Sequence, residues 1–223
     1  MNYEQARFNM IEQQIRPWEV LDSQVLALLA VIKREDFVPA AYKALAFADM
    51  EIPLRNDLQQ HPGQCMLSPK VEARILQDLA LQKHEKVLEI GTGSGYMAAL
   101  LGHRAQHVTS FETVAELAQN ARINLQRAGI YNAEVITADA ADPQALKGPF
   151  DAIVLSGSIA EVPAALLQQL KVGGRLSAIV GFEPVMHATL VTRVGEAAWR
   201  TTQAWDTVAP RLLGFAEPSK FNF

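Results

Sequence analysis

The stretch Val87-Leu88-Glu89-Ile90-Gly91-Thr92-Gly93-Ser94-Gly95-Tyr96 is an apolar strand running into three glycines at alternate positions. It continues as Met97-Ala98-Ala99-Leu100-Leu101, a run with the look of a helix start. Glycine has no Cβ and takes positive φ, so the backbone of such a turn can approach a ligand closely. Free amides at the helix start are expected to face the same crevice, which predicts a bound small molecule there.

The spacing narrows the choice of ligand. The dinucleotide fingerprint G-x-G-x-x-G requires glycine at 96, where this chain has Tyr96. Glu112, about 20 residues past Gly91, closes the next apolar strand, His107-Val108-Thr109-Ser110-Phe111. An acid there suits the hydroxyls of a ribose. Glu89, at the carboxyl end of the first strand, adds a negative charge that a cationic ligand tolerates better than a pyrophosphate does. Together Glu89, Gly91, Gly93 and Gly95 resemble motif I, E/D-x-G-x-G-x-G, of the class I S-adenosylmethionine-dependent methyltransferases. The bland alternative is a βα turn of some other doubly wound protein.

Outward from this turn, strand and helix patterns alternate. Strands are predicted at 86–90, 107–111, 133–138, 150–156 and 175–180, with helices at 96–105, 114–128 and 161–170. Ser68-Pro69 followed by Val71, Ile75, Leu76 and Leu79 reads as a further helix, with serine as N-cap and proline at its first position. This alternation predicts an α/β fold, a doubly wound and mostly parallel Rossmann-like sheet. Beyond Gly181, the β-branched runs Thr189–Val194 and Trp199–Thr202 flank a glycine turn and predict an antiparallel hairpin on the sheet edge. Upstream, Val25, Leu28, Leu29 and Ile32 follow a cap at Asp22 or Ser23, so the first 60 residues read as helical. The polar stretch from Arg55 to Gly63 reads as a loop that borders the site.

Composition bounds the function. The chain has 223 residues, 49% of them hydrophobic and 20% charged, the make-up of one globular domain. Its formal charge of −4 and pI near 5.7 supply no basic field for nucleic acid. The single cysteine, Cys65, precludes an intramolecular disulfide and fits a reducing compartment. His103 and His107 lack a third partner at metal-ligand spacing, so no metal is expected. With neither a signal-peptide pattern at Met1–Arg7 nor a long apolar run, a cytoplasmic protein without membrane contact is expected.

The likeness extends over nearly the whole chain. Met10–Ile15, Arg34-Glu35-Asp36-Phe37-Val38-Pro39, Ala46-Phe47-Ala48-Asp49 and Gly63-Gln64 before Pro69 resemble the protein-L-isoaspartate O-methyltransferases. Gly148–Val154 and Leu170–Leu176, with Val180-Gly181 behind them, agree with the same family. The resemblance implies methyl transfer from S-adenosylmethionine to the carboxylate of an isoaspartyl residue in a damaged protein or peptide, giving a labile ester that starts repair. It implies cofactor binding by Glu89, Gly91, Gly93, Gly95 and Glu112, with Asp139 and Ala140 near the adenine. Ala140 and Ala141 stand where the family usually carries glycine.

On the substrate side the chain departs from the family. The family's Thr-Ile-Ser run ends in a serine that binds the isoaspartyl carboxylate, and here Cys65-Met66-Leu67 occupies its place. Ser68 is then the candidate catalytic hydroxyl, unless it merely caps the helix that follows. A methyltransferase of this fold with a different acceptor, or a module that binds the cofactor without turnover, remain open alternatives. Residues 1–68 are expected to form a helical segment and substrate-side loop on a cofactor-binding core, 69–223, of one domain.

Overall fold

The structure, a computed structural model, describes residues 2–55 and 63–217. In chain order its main elements are α1 (Tyr3–Met10), α2 (Ser23–Val31), β1 (Ile52–Pro53), β2 (Cys65–Met66), α3 (Pro69–Leu79), β3 (Lys86–Ile90) and α4 (Tyr96–Arg104). These are followed by β4 (His107–Glu112), α5 (Ala115–Arg127), β5 (Ala133–Thr137), β6 (Phe150–Ile159), α6 (Ala164–Gln168), β7 (Leu170–Phe182), β8 (Val185–Gly195) and β9 (Ala198–Thr207). Among the described residues, strands β3 to β9 form one seven-stranded sheet in the order β5-β4-β3-β6-β7-β8-β9. The first five neighbours pair in parallel, whereas β8 and β9 run antiparallel. Strand order therefore reverses beside β3, and the crevice outside the carboxyl ends of β3 and β6 is where such sheets bind ligands.

The elements follow from their residues. Asp22 caps α2, its Oδ1 accepting from the amides of Gln24 at 2.8 Å and Val25 at 3.4 Å. Helix α3 buries Val71, Ala73, Ile75, Leu76 and Leu79 along one face. Its first residue is Pro69, as expected, but the Ser68 hydroxyl makes no capping hydrogen bond. The Ser68 carbonyl instead accepts from Val71 and Glu72 at 3.0 and 3.2 Å, so the backbone alone closes the first turn.

Several predicted boundaries move. Strand β7 begins at Leu170, where a helix was expected to end, because Gly173 and Gly174 let it bulge past β6. A Cβ on Gly174 would sit 2.9 Å from the carbonyl oxygens of Asp151 and Lys171. Helix α6 is correspondingly reduced to Ala164–Gln168. The edge hairpin is longer than its β-branched signal, since the outer strand exposes polar residues such as Thr202 and Gln203 that carry no alternating apolar pattern. Within the expected helical N-terminal region, the two-residue strand β1 pairs with β2. Most of the loop expected to border the site, 56–62, lies outside the described residues.

Met10, Ile15, Leu29 and Phe37 from the N-terminal region pack in one core with Ile75, Leu76, Tyr96 and Leu100. Two ion pairs are sealed inside this joint: Arg7 with Glu35, and Arg34 with Glu72. Arg34 is fully buried, lies 5.1 Å from the Tyr96 ring centroid, and donates from Nη2 to the Leu67 carbonyl at 2.6 Å. It thus ties the N-terminal segment to the strand that leads into α3.

Removing one member of a buried pair strands the other charge, at a cost of about 3–5 kcal/mol, whereas an apolar replacement of both can be neutral. Arg34→Ala should lower the unfolding free energy by that amount in urea titrations. A double variant, Arg34→Met with Glu72→Leu, should recover most of the loss.

Candidate active site

The turn after β3 is built as its glycines demand. Gly91 and Gly93 hold φ values of +91° and +54°, a region that a side-chain-bearing residue adopts only with strain. A Cβ on Gly91 would also approach Leu212 Cδ2 to 2.7 Å. The turn amides, however, are not free. Those of Gly91 and Thr92 donate to the Phe111 carbonyl at 2.9 and 3.2 Å, and that of Gly95 to the Thr92 carbonyl at 2.8 Å. The Gly93 amide donates to Glu112 Oε2 at 2.9 Å. These four amides are spent within the turn and are not offered to a phosphate.

Glu112, at the end of β4, is buried and doubly held, since its Oε1 accepts from the Val114 amide at 3.0 Å. Each carboxylate oxygen keeps a further lone pair toward the cleft, enough to accept from a pair of vicinal hydroxyls. The cleft itself is lined by Gly91, Gly93, Glu112, Asp139 and Ala140, so the structure brings these sequence-predicted residues together. Its apolar walls include Ile90, Phe111, Leu117, Leu212 and Phe215. Asp139 is exposed at the rim, and its Oδ1 accepts from the Ala141 amide at 2.8 Å in a local turn. Gln64, also on the wall, has a buried Oε1 with no partner among the described residues.

Glu89 and Gly95 are placed differently. Gly95 packs against α5, where a Cβ would meet Ala121 at 3.3 Å. Glu89 is fully buried below the turn, accepting from the hydroxyls of Ser110 at 2.6 Å and Ser156 at 2.9 Å. Ser110 in turn lies 2.5 Å from the Thr92 hydroxyl. Burial pushes the Glu89 carboxyl up to about 8; the two serine bonds pull it down, and Glu72 and Glu112 push it further up.

A small chamber opens from the cleft past Gly91, Gly93 and Ser156, and reaches Leu67, Glu72 and Glu89. Burial raises the Glu72 carboxyl, and Arg34 pulls it back. Cys65 borders both spaces with its thiol pushed up to about 12, first by burial and then by Glu51, which favours the protonated thiol. Ser68 is not brought into this chamber; it borders a separate cavity on the far side of Leu67. Two contributors escaped sequence reasoning. Ser156 carries no signal beyond its place at the end of the β6 apolar run. The segment Arg211–Phe215 lines the cleft only because Pro210 and Leu212 pair with Ser158 at 2.7 and 2.9 Å.

A family model described as protein-L-isoaspartate(D-aspartate) O-methyltransferase matches residues 5–206. The chain belongs to this family. Curated members similar to it include the protein-L-isoaspartate O-methyltransferases of Koribacter versatilis, 38% identical over 93% of this chain and 90% of the relative, and Methanoculleus marisnigri, 40% identical over 78% and 77%. In fold the isoaspartyl methyltransferase chain matches a Plasmodium falciparum beta-aspartate methyltransferase solved in complex with S-adenosyl-L-homocysteine. That match has a TM-score of 0.74 at 19% identity, covering 95% of this chain and 99% of the other. A second structure, a protein-L-isoaspartate O-methyltransferase, gives a TM-score of 0.72 at 22% identity and covers 95% and 66%.

Because the folded protein holds the Glu89 proton up to about pH 8 while an ordinary glutamate releases it near 4.5, stability should fall as pH rises through that window. A tenfold difference in proton affinity is worth about 1.4 kcal/mol. Glu89→Gln stays neutral throughout, so its Tm should fall less than that of the wild type between about pH 5 and pH 8. Parallel profiles in differential scanning calorimetry would place the ionisation elsewhere.

Proposed function

We propose that this isoaspartyl methyltransferase binds S-adenosylmethionine in the cleft at the carboxyl ends of β3 and β4 and methylates the carboxylate of isoaspartyl residues in proteins. The observation that carries the reading is the pairing of Glu112 with a glycine turn whose Gly91, Thr92, Gly93 and Gly95 amides are satisfied. It is a cleft that accepts hydroxyls and admits a close backbone approach, yet has little to offer a pyrophosphate. Residues 69–223 would form the cofactor-binding core, with 1–68 as the helical segment on the acceptor side.

Glu112 would hold the ribose diol by charge-assisted hydrogen bonds, and Asp139 and Ala140 would border the adenine, with Phe111 and Phe215 offering apolar faces. The unpartnered Gln64 Oε1 offers one more acceptor. Once bound, the cofactor supplies an electrophilic methyl group. The acceptor carboxylate is ionised at neutral pH and needs no base, so the protein's work is orientation and exclusion of water.

The buried acids beside the chamber must not repel that carboxylate. Glu89 meets this requirement by remaining protonated below about pH 8, and Glu72 by its pairing with Arg34. With Leu67 in the family's serine position, Ser68 stays the candidate hydroxyl only for an acceptor that reaches past Leu67, since Thr92, Ser94 and Ser156 border the chamber and Ser68 borders the neighbouring cavity.

Labelled S-adenosylmethionine offered with an isoaspartyl peptide and its aspartyl twin should methylate only the former. Equal labelling of both, or of neither, would remove the reading. Glu112→Ala forfeits charge-assisted bonds of about 1.5–3 kcal/mol each, so S-adenosylhomocysteine affinity should fall at least ten-fold by calorimetry.

Ser68 has its own test. Since its hydroxyl caps nothing, Ser68→Ala should leave Tm nearly unchanged, and a ten-fold or greater drop in kcat/KM at constant cofactor affinity would assign it to the acceptor. Unchanged kcat/KM would remove it from the site.

A further inference from the structure

On the far side of Leu67 from the chamber lies a cavity of about 330 Å³ that the cofactor site does not use. Its walls come from distant parts of the chain: Trp18 from the N-terminal segment, Asp49 and Met50 before β1, Lys70 and Arg74 from α3, and Trp205 from β9. Leu67 borders both spaces, so the cavity opens one side chain away from the place where the acceptor must sit.

Three of the protein's exposed large apolar side chains meet here: Trp18 at 46% exposure, Met50 at 43% and Val208 at 49%. The two tryptophans are held in place rather than loose. Lys70 Nζ stands 3.7 Å from the Trp18 ring centroid, the Arg74 guanidinium 5.0 Å from that of Trp205, and Trp205 Nε1 donates to Asp78 at 2.8 Å. Both cations are already matched, Lys70 by Asp49 at 2.7 Å and Arg74 by Glu19 at 2.8 Å. The cavity's two lining cations are thus both matched, and Glu51 on its rim opposes an acidic group. Asp49 Oδ1 is buried without a partner among the described residues, although Oδ2 holds Lys70.

Fixed aromatic walls and Leu67, a side chain shared with the chamber, point to one occupant. We propose that this cavity is a subsite for the residue flanking the isoaspartyl residue in the acceptor polypeptide. It takes an apolar, preferentially aromatic side chain beside Trp18, Met50 and Trp205. The proposal rests on the isoaspartyl reading above and adds to it a sequence preference: aromatic flanks are favoured and acidic flanks disfavoured.

The test is calorimetric binding of isoaspartyl peptides to the protein saturated with S-adenosylhomocysteine, with Phe, Gly or Asp placed in turn on each side of the isoaspartyl residue. At one of the two flanks, Phe should bind roughly five- to ten-fold tighter than Gly, as partial burial of an aromatic side chain allows, and Asp should bind more weakly than Gly. Trp18→Ala and Met50→Ala, at half-exposed positions that do not support the core, should each bring Phe and Gly to within about two-fold. Equal affinities for Phe and Gly at both flanks, a preference that survives in both variants, or no peptide binding at all would each overturn the subsite. Label transfer from S-adenosylmethionine to an isoaspartyl protein is scored separately. Transfer without a flank preference sinks only the subsite, and a flank preference without transfer sinks only the methylation reading.

Discussion

The hydrogen bond from the Gly93 amide to Glu112 joins the ends of two adjacent parallel strands across the mouth of the cleft, and much of the site depends on it. It fixes the carboxylate where a ligand's hydroxyls can reach it and holds the glycine turn open. It also uses up a backbone donor that would otherwise invite an anion. Positive φ at Gly91 and Gly93 is the backbone condition for this bond, and the parallel register that sets Ile90 beside Phe111 is the tertiary one. Leu212, brought in from the far end of the chain, then packs so close to Gly91 that the missing Cβ serves packing as well as ligand access.

Beneath this turn the protein manages two acids that a carboxylate acceptor would not tolerate as bare charges. Glu89 sits among hydroxyl groups, and burial favours its neutral form. Glu72 keeps company with Arg34, which also anchors the Leu67 carbonyl and stacks on Tyr96, the first residue of the helix after the glycines. The N-terminal segment is thereby coupled to the chamber wall through one guanidinium. Local burial, more than net charge, decides the electrostatics of the acceptor side.

Leu67 stands between the chamber and the cavity, and the division explains why the hydroxyl of Ser68 is hard to assign from position in the chain. Adjacent residues of an extended segment point to opposite faces. Leu67 borders the chamber, whereas Ser68 borders the cavity of Trp18 and Trp205 alone. A side chain one step along the sequence can thus lie on the other side of a wall.

Most of the sheet was legible in the chain because parallel strands buried on both faces are continuous apolar runs, and Glu89, Gly91, Gly93 and Glu112 lie at fixed offsets from them. Capping by Asp22 and the start of α3 at Pro69 were likewise local matters. Where polar residues line an exposed edge, as in β9, or where a bulge at Gly173-Gly174 carries a strand into an expected helix, the pattern misreads the boundary. By itself the sequence determined the α/β class, the family likeness and the glycine turn, since each depends on neighbours within a few tens of residues. Only the tertiary structure decided that the Gly91, Thr92 and Gly93 amides are spent on β4, that Ser156 and Leu212 line the cleft, that Arg34 holds Glu72, and that Trp18 and Trp205 share a cavity. Those contacts join residues far apart in the chain, and neither periodicity nor motif spacing carries information about which buried partner a distant side chain will meet.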